Sequence, residues 1–166
     1  MKKIYSTLFA LTVLFSGLNA QTTWDNFEDS RKGTYGFIAG TFIPYNENPD
    51  QSGANTSLVA AEYTRNPAEL FDVIIIDALM ADLSDYVAGE KQISIDVWSP
   101  SAGIPIQITL ENSVTALPEN FPTGRHSVYL TETTVANEWE TLTFSFDNQP
   151  DPGVSDTEVD RLVLLF

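Results

Sequence analysis

The sequence has no cysteine, one histidine and few basic residues. Without cysteine no disulfide can brace the fold, so the hydrophobic core has to hold it together. One histidine and no thiol are too few ligands for a typical zinc site. A Ser-His-acid triad would have to use that histidine, His126, and no Gly-x-Ser-x-Gly motif is present. We therefore predict no catalytic residues and no enzyme activity, and we expect His126 to lie at the surface.

The charge of the chain is strongly one-sided. Its 166 residues include 23 aspartates and glutamates but only eight lysines and arginines, which gives a formal net charge of −15. Such an excess of negative charge repels nucleic acid, anionic lipid and sulfated glycans. It is compatible with a neutral partner and with divalent cations, so the composition favours a neutral ligand and argues against a nucleic-acid partner.

Residues 1–20 have the organisation of a secretory signal peptide. Lys2 and Lys3 form a basic start, an apolar stretch follows at 4–18, and the small residue Ala20 suits a cleavage site. The apolar stretch is short and is interrupted by serine and threonine, so we expect no membrane insertion. Cleavage near Ala20 would leave a secreted or cell-surface protein.

Residues 21–166 have the length of one domain, and most of them are organised as short strands. Apolar and polar residues alternate over short stretches that are separated by Gly, Pro, Asn and Asp, a pattern typical of an antiparallel β-sandwich or barrel. Only two short helical turns are expected, at 66–72 and 79–86. Strands are predicted at 22–27, 35–42, 58–64, 71–78, 91–98, 104–111, 127–133, 140–146 and 160–166, with a surface loop at 45–56.

The two-faced strand at 91–98 is the main functional clue. Its sequence KQISIDVW places Ile and Val on one face and Ser94, Asp96 and Trp98 on the other. A flat aromatic ring beside polar groups is what a sugar-binding surface requires. The next strand, at 104–111, also alternates, and a short turn joins the two, so we expect them to be neighbours. The predicted sugar contacts are Trp98, Asp96, Gln107, Glu111 and, at the rim, Tyr45.

Several sequence motifs follow one another in an order that resembles a known family. They are NFED, NPDQSGANTS, LVAAEYTR, KQISIDVWSPSAGIPIQITLEN, TVANEWETLTFSFD and DRLVLLF. This order resembles the galactose-binding-like, carbohydrate-binding-module type of β-sandwich found in secreted bacterial glycan-degrading proteins, over nearly all of residues 21–166. The resemblance implies a jelly-roll of two antiparallel sheets with a binding role. Independently of the resemblance, strict alternation predicts that the strand at 140–146 buries Leu142, Phe144 and Phe146. Trp139 opens this strand on the opposite face, and we expect it to pack at a corner.

The same resemblance bears on the end of the chain and on a metal. In the family a further strand follows the one that matches RLVLLF, so we interpret the chain as lacking its last strand and as the N-terminal module of a longer protein, monomeric by itself. A central final strand is the alternative. The family's structural calcium commonly uses one carboxylate from that further strand and one near the first strand. In this sequence the partner near the first strand is Glu28, with Asp25 or Asp29 nearby.

These observations predict a non-catalytic module that holds a neutral polysaccharide on an exposed sheet face. An adhesion or structural spacer module without a sugar ligand is the first alternative. Glycoside hydrolysis by a carboxylate pair is a second alternative, for which the sequence offers no compact motif.

Overall fold

The computed structural model describes residues 22–166, and the predicted signal peptide lies outside them. Over this range the chain is all-β and its sheets are antiparallel, as the alternating pattern predicts. Within residues 22–166 no helix is long and apolar enough to span a bilayer. The elements are β1 (Thr34–Ile38), β2 (Thr41–Glu47), β3 (Val59–Thr64), β4 (Val73–Asp77), α1 (Ser84–Val87), β5 (Ser94–Trp98), β6 (Pro105–Glu111), β7 (Arg125–Glu132), β8 (Trp139–Thr143), β9 (Ser145–Asn148) and β10 (Arg161–Leu165).

The strands form a sandwich-like arrangement of one large sheet and two strand pairs. The large sheet has six strands in the order β1-β4-β10-β6-β7-β9, and the pairs are β2-β3 and β5-β8. The last strand, β10, lies at the centre of the large sheet, hydrogen-bonded to β4 on one side and to β6 on the other.

The hydrophobic core lies between the large sheet and the two strand pairs. Ile74, Ile108 and Leu164 come from adjacent strands of the large sheet, and Leu142 faces them from β8. The β2-β3 pair adds aromatic rings, among them Phe42, which stacks on a tyrosine of β1 at 4.8 Å between ring centroids. Both strand pairs therefore cover the same face of the large sheet, which is what a two-layered core requires.

The predicted strand at 140–146 is divided at Phe144. Residues up to Thr143 pair with β5, whereas β9 starts at Ser145 and pairs with β7 in the large sheet. Because the chain crosses between layers at this corner, period-two alternation does not continue through it. Phe144 is buried as predicted, but Phe146 is 40 % exposed, so the prediction of a buried Phe146 was wrong.

Two other local predictions were wrong near the start of the chain. Residues 22–27 form no strand, and only an isolated bridge joins Asp25 to Arg31. The predicted strand at 35–42 is two strands, β1 and β2, and β2 continues to Glu47 into the predicted loop. The segment 66–72 forms turns rather than a helix. The helix α1, at Ser84–Val87, overlaps the end of the second helical turn, which was predicted at 79–86.

Candidate functional site

The predicted sugar contacts on β5 and β6 do not form one surface. β5 pairs with β8, whereas β6 lies between β10 and β7 in the large sheet. The turn between them is tied to the end of β7, since the N–H of Gly103 donates to the carbonyl of Thr133. The expected β5–β6 hairpin was therefore wrong, and Trp98 and Asp96 lie on a different sheet from Gln107 and Glu111.

Glu111 lies in a row of alternating charges that crosses four strands. Asp77, Arg161, Glu111 and Arg125 are register partners on β4, β10, β6 and β7. Arg161 Nε lies 2.8 Å from Asp77 Oδ1, and Arg125 Nε lies 3.2 Å from Glu111 Oε1. We name these four residues the charge row. Opposite charges on directly facing strands stabilise the pairing of a sheet.

The charge row removes Glu111 from the exposed surface. Glu111 is only 8 % exposed, although alternation correctly places it on the side away from the core. Arg125 is buried beside it and donates to Asn120 Oδ1 and to the carbonyls of Leu117 and Thr123, each at 2.7 Å. Burial raises the pKa of Glu111 and outweighs the opposing effect of the neighbouring arginines.

Gln107 is also engaged within its own strand. Its Nε2 donates to the hydroxyl of Thr109 at 2.9 Å, and Thr109 is buried. Because its amide donor is already used and its neighbours on this sheet face are buried, Gln107 has few free groups with which to bind an extended ligand. The structure therefore gives Gln107 and Glu111 no common surface with the tryptophan of β5.

Trp98 and Trp139 lie directly opposite each other on the outward face of the β5-β8 pair. Both are half-buried. On the same face Thr141 donates its hydroxyl to Asp96 Oδ1 at 2.6 Å. This hydrogen bond joins the two strands across the face, so the face has a structural role whatever its ligand.

Tyr45 is the predicted aromatic contact that stands open to solvent, with 60 % of its surface exposed, whereas Trp98 is half-buried. It lines an open pocket of about 220 Å³ together with the segment 25–31. That segment contains Asp25 and Glu28, the carboxylates predicted for a metal. Three residues singled out in the sequence for two different reasons thus meet at one place. We call it the Tyr45 pocket, and its lining residues are Asp25, Phe27, Glu28, Asp29, Ser30, Arg31 and Tyr45.

The segment 25–31 is held in shape by the side chain of Asn26. Its Oδ1 accepts hydrogen bonds from the backbone N–H groups of Glu28, Asp29 and Ser30, at 3.1, 3.0 and 2.8 Å. Asparagine side chains that bind the following backbone in this way form turns rather than strands. This local competition explains why the predicted first strand is a loop.

Arg31 forms one wall of the Tyr45 pocket. Its Nε donates to Asp25 Oδ2 at 2.9 Å, and its guanidinium carbon lies 5.3 Å from the ring centre of Tyr35 and 5.5 Å from that of Tyr45. Burial opposes the charge, but the Asp25 carboxylate together with Tyr45 and Tyr35 outweighs it, so the pKa of Arg31 is raised. The guanidinium is therefore fixed in direction by an ion pair and two aromatic rings.

Several polar atoms of the pocket have no partner among residues 22–166. The two Nη groups of Arg31 donate no hydrogen bond there, since only Nε is used. Glu28 accepts the N–H of Leu58 through Oε1 at 3.0 Å, which leaves Oε2 open. The pocket thus offers free donors, a free acceptor and an exposed ring, the combination that a hydroxylated ring ligand needs.

The carboxylate of Asp25 is already engaged with protein groups. Asp25 accepts from Arg31, from the phenol of Tyr35 at 3.1 Å and from the N–H of Phe27 at 2.7 Å. Among the described residues, no three or more His, Cys, Asp or Glu side chains are grouped so as to hold a metal ion. Calcium at Glu28 and Asp25 stays a prediction.

His126 is fully buried, so its predicted surface position was wrong. Its Nε2 lies 2.8 Å from Asp156 Oδ1 and its Nδ1 lies 2.9 Å from Ser127 Oγ. The residue types are those of a hydrolase triad, but Ser127 is itself fully buried. A nucleophile must reach its substrate, so this cluster is a structural connection between β7 and the loop before β10.

Sequence reasoning did not identify Arg31 or Phe27 as pocket residues. The available signal was the run Asp25-Asn26 close before Arg31, which favours a turn that brings an ion pair together. This signal was overlooked because a strand was expected in the segment.

No family model matches the chain, and no curated protein and no solved structure is significantly similar to it.

Proposed function

We propose that the protein is a non-catalytic carbohydrate-binding module that holds a neutral sugar in the Tyr45 pocket. The observation that carries this proposal is the position of the exposed Tyr45 ring beside the fixed guanidinium of Arg31. An aromatic ring stacks on the apolar face of a sugar, while fixed polar groups bind its hydroxyls. The site needs no nucleophile and no metal to do this.

Charge supports a neutral ligand at this position. The pocket is lined by Asp25, Glu28 and Asp29 against the single cation Arg31. The chain as a whole carries a formal net charge of −15. Uronic acids and sulfated sugars would be repelled both locally and at long range. In this proposal the module is a galactose-binding-like jelly-roll, secreted through its signal peptide, that tethers a larger protein to a polysaccharide.

The proposal is tested by affinity electrophoresis in gels that contain neutral polysaccharides. The unmodified protein is expected to be retarded by at least one of them, and Tyr45→Ala is expected to abolish the retardation. Phe71→Ala is the matched control, because Phe71 is an aromatic residue of comparable exposure, at 70 %, that does not line the pocket. Each gel is run with calcium and with EDTA, which tests the predicted structural ion at the same time.

Two outcomes would change the proposal. Retardation lost with Trp98→Ala but kept with Tyr45→Ala would move the site to the outward face of the β5-β8 pair. Unchanged mobility of the unmodified protein on every polysaccharide would contradict sugar binding and favour the adhesion or spacer module.

A further inference from the structure

The Tyr45 pocket has features that limit how much of a glycan it can hold. Its volume of about 220 Å³ is below the lower end, roughly 300 Å³, of pockets that enclose drug-sized ligands. Its lining comes from one continuous segment, 25–31, and from a single residue of β2. A site that is built from so short a stretch of chain is a local depression and not a groove along a sheet.

Only one aromatic ring of the pocket is available as a stacking platform. The other aromatic lining residue, Phe27, is half-buried and packs against Tyr35 at 6.4 Å and Phe42 at 6.2 Å between ring centroids. Its ring belongs to an aromatic cluster beneath the pocket. Because each sugar ring of an extended chain needs its own stacking surface, a single platform at Tyr45 serves a single ring.

The polar groups around the platform are held rigidly. Three backbone N–H groups bind Asn26 Oδ1, and Arg31 is fixed by Asp25 and by the rings of Tyr35 and Tyr45. The open Nη edge of a guanidinium presents parallel N–H donors in a fork. Two neighbouring hydroxyl oxygens on one sugar ring match such a fork, and rigid donors cost little entropy when they bind.

From these features we infer that the pocket recognises one sugar unit at a time, through a pair of neighbouring hydroxyls on Arg31 and stacking on Tyr45. This inference rests on the proposed sugar-binding function and specifies its ligand. The recognised unit is a monosaccharide, a chain end or a branch. The interior of a long chain is not the ligand, because its successive rings would have no further platform.

The length dependence of binding tests the inference. Calorimetry is performed on the full chain with the methyl glycosides of glucose, galactose, mannose and xylose, and with oligosaccharides of two, four and six units of each. For the sugar that binds, we expect the affinity for the oligosaccharide of six units to differ by less than about threefold from the affinity for that of two units, when both are expressed per oligosaccharide molecule. A rise of about tenfold or more over that range would overturn single-unit recognition and leave sugar binding intact. No heat with any of these sugars would contradict both proposals.

The role of the guanidinium fork has its own test. Arg31→Lys keeps a cation beside Asp25 but loses the fork, so we expect it to weaken binding of the preferred glycoside about tenfold. Arg65→Lys is the matched control, because Arg65 is an exposed arginine outside the pocket. Deoxy analogues of the same glycoside complete the test, since removal of either hydroxyl of the recognised pair should weaken binding as much as Arg31→Lys does. Equal binding by Arg31→Lys and by all deoxy analogues would overturn the inference.

Discussion

The indole Nε1 of Trp139 donates a hydrogen bond of 2.8 Å to Oδ1 of Asn48, which joins the start of β8 to the loop after β2. Asn48 is buried, and its Nδ2 donates to the carbonyls of Asn55 and Ser57. One amide thus closes the loop on itself and anchors it to a different strand pair. The next residue, Leu58, binds Glu28 of the Tyr45 pocket, so the anchored loop also supports the pocket.

Asn48→Ala should lower the free energy of unfolding by about 2–3 kcal/mol. The substitution leaves the Trp139 donor and the two loop carbonyls without their partner, and unsatisfied buried polar groups are costly. Urea unfolding followed by tryptophan fluorescence measures the effect. Trp139→Phe, which keeps a ring and removes the donor, should cost less, and the double variant should fall short of the sum because both changes remove the same bond. Strictly additive losses would show that the bond contributes nothing.

Asn26→Ala should weaken sugar binding in the Tyr45 pocket about tenfold. The three N–H groups that Asn26 holds would lose their acceptor, and the segment 25–31 would no longer be ordered before the ligand binds. Calorimetry with the preferred glycoside measures the change. Asn26→Asp keeps an acceptor oxygen and should bind nearly as well as the unmodified protein. Equal loss in both variants would show that the turn does not order the pocket.

Gly124→Ala should be strongly destabilising, by about 3 kcal/mol or more. Gly124 has a φ of +79°, and a Cβ built there would lie 2.5 Å from the backbone nitrogen of Ala116. Gly103→Ala is the matched control, since its φ of +77° is similar but no atom lies within 4 Å of the added carbon. The control should lose only about 1 kcal/mol from backbone strain. Thermal unfolding compares the two, and equal losses would rule out the steric contact.

The stability of the protein should depend on pH through Glu111. Its pKa is raised in the folded state above its usual value of 4.5, so the folded protein holds the proton more tightly than the unfolded chain does. Its contribution to stability is therefore fully present below pH 4.5 and is lost as the pH rises through the folded-state pKa. The unfolding free energy of the unmodified protein minus that of Glu111→Gln should increase as the pH falls from 7 towards 4.5. A difference that stays constant or decreases over this range would contradict the assignment.

The local sequence pattern predicted the positions of several strands correctly, but it did not predict which strands pair with each other. The predicted strands at 58–64 and 104–111 correspond closely to β3 and β6, because strict alternation and flanking turn residues mark a two-faced strand. The same alternation placed Glu111 on the side away from the core, as observed. It did not reveal that the opposite charges of Arg161 and Arg125 would flank it, since those residues are distant in sequence.

The sequence by itself determined that the fold is antiparallel and all-β, which residues share a face within an uninterrupted strand, and that Tyr45 is exposed. The tertiary structure alone decided that β5 and β6 belong to different layers, and that Tyr45 meets Arg31 and Glu28 in one pocket. The physical reason is that alternation depends on adjacent residues of one strand. Strand pairing and pockets depend on contacts between segments that are distant in sequence. Many different strand pairings are compatible with the same local pattern, so the pattern does not select one of them.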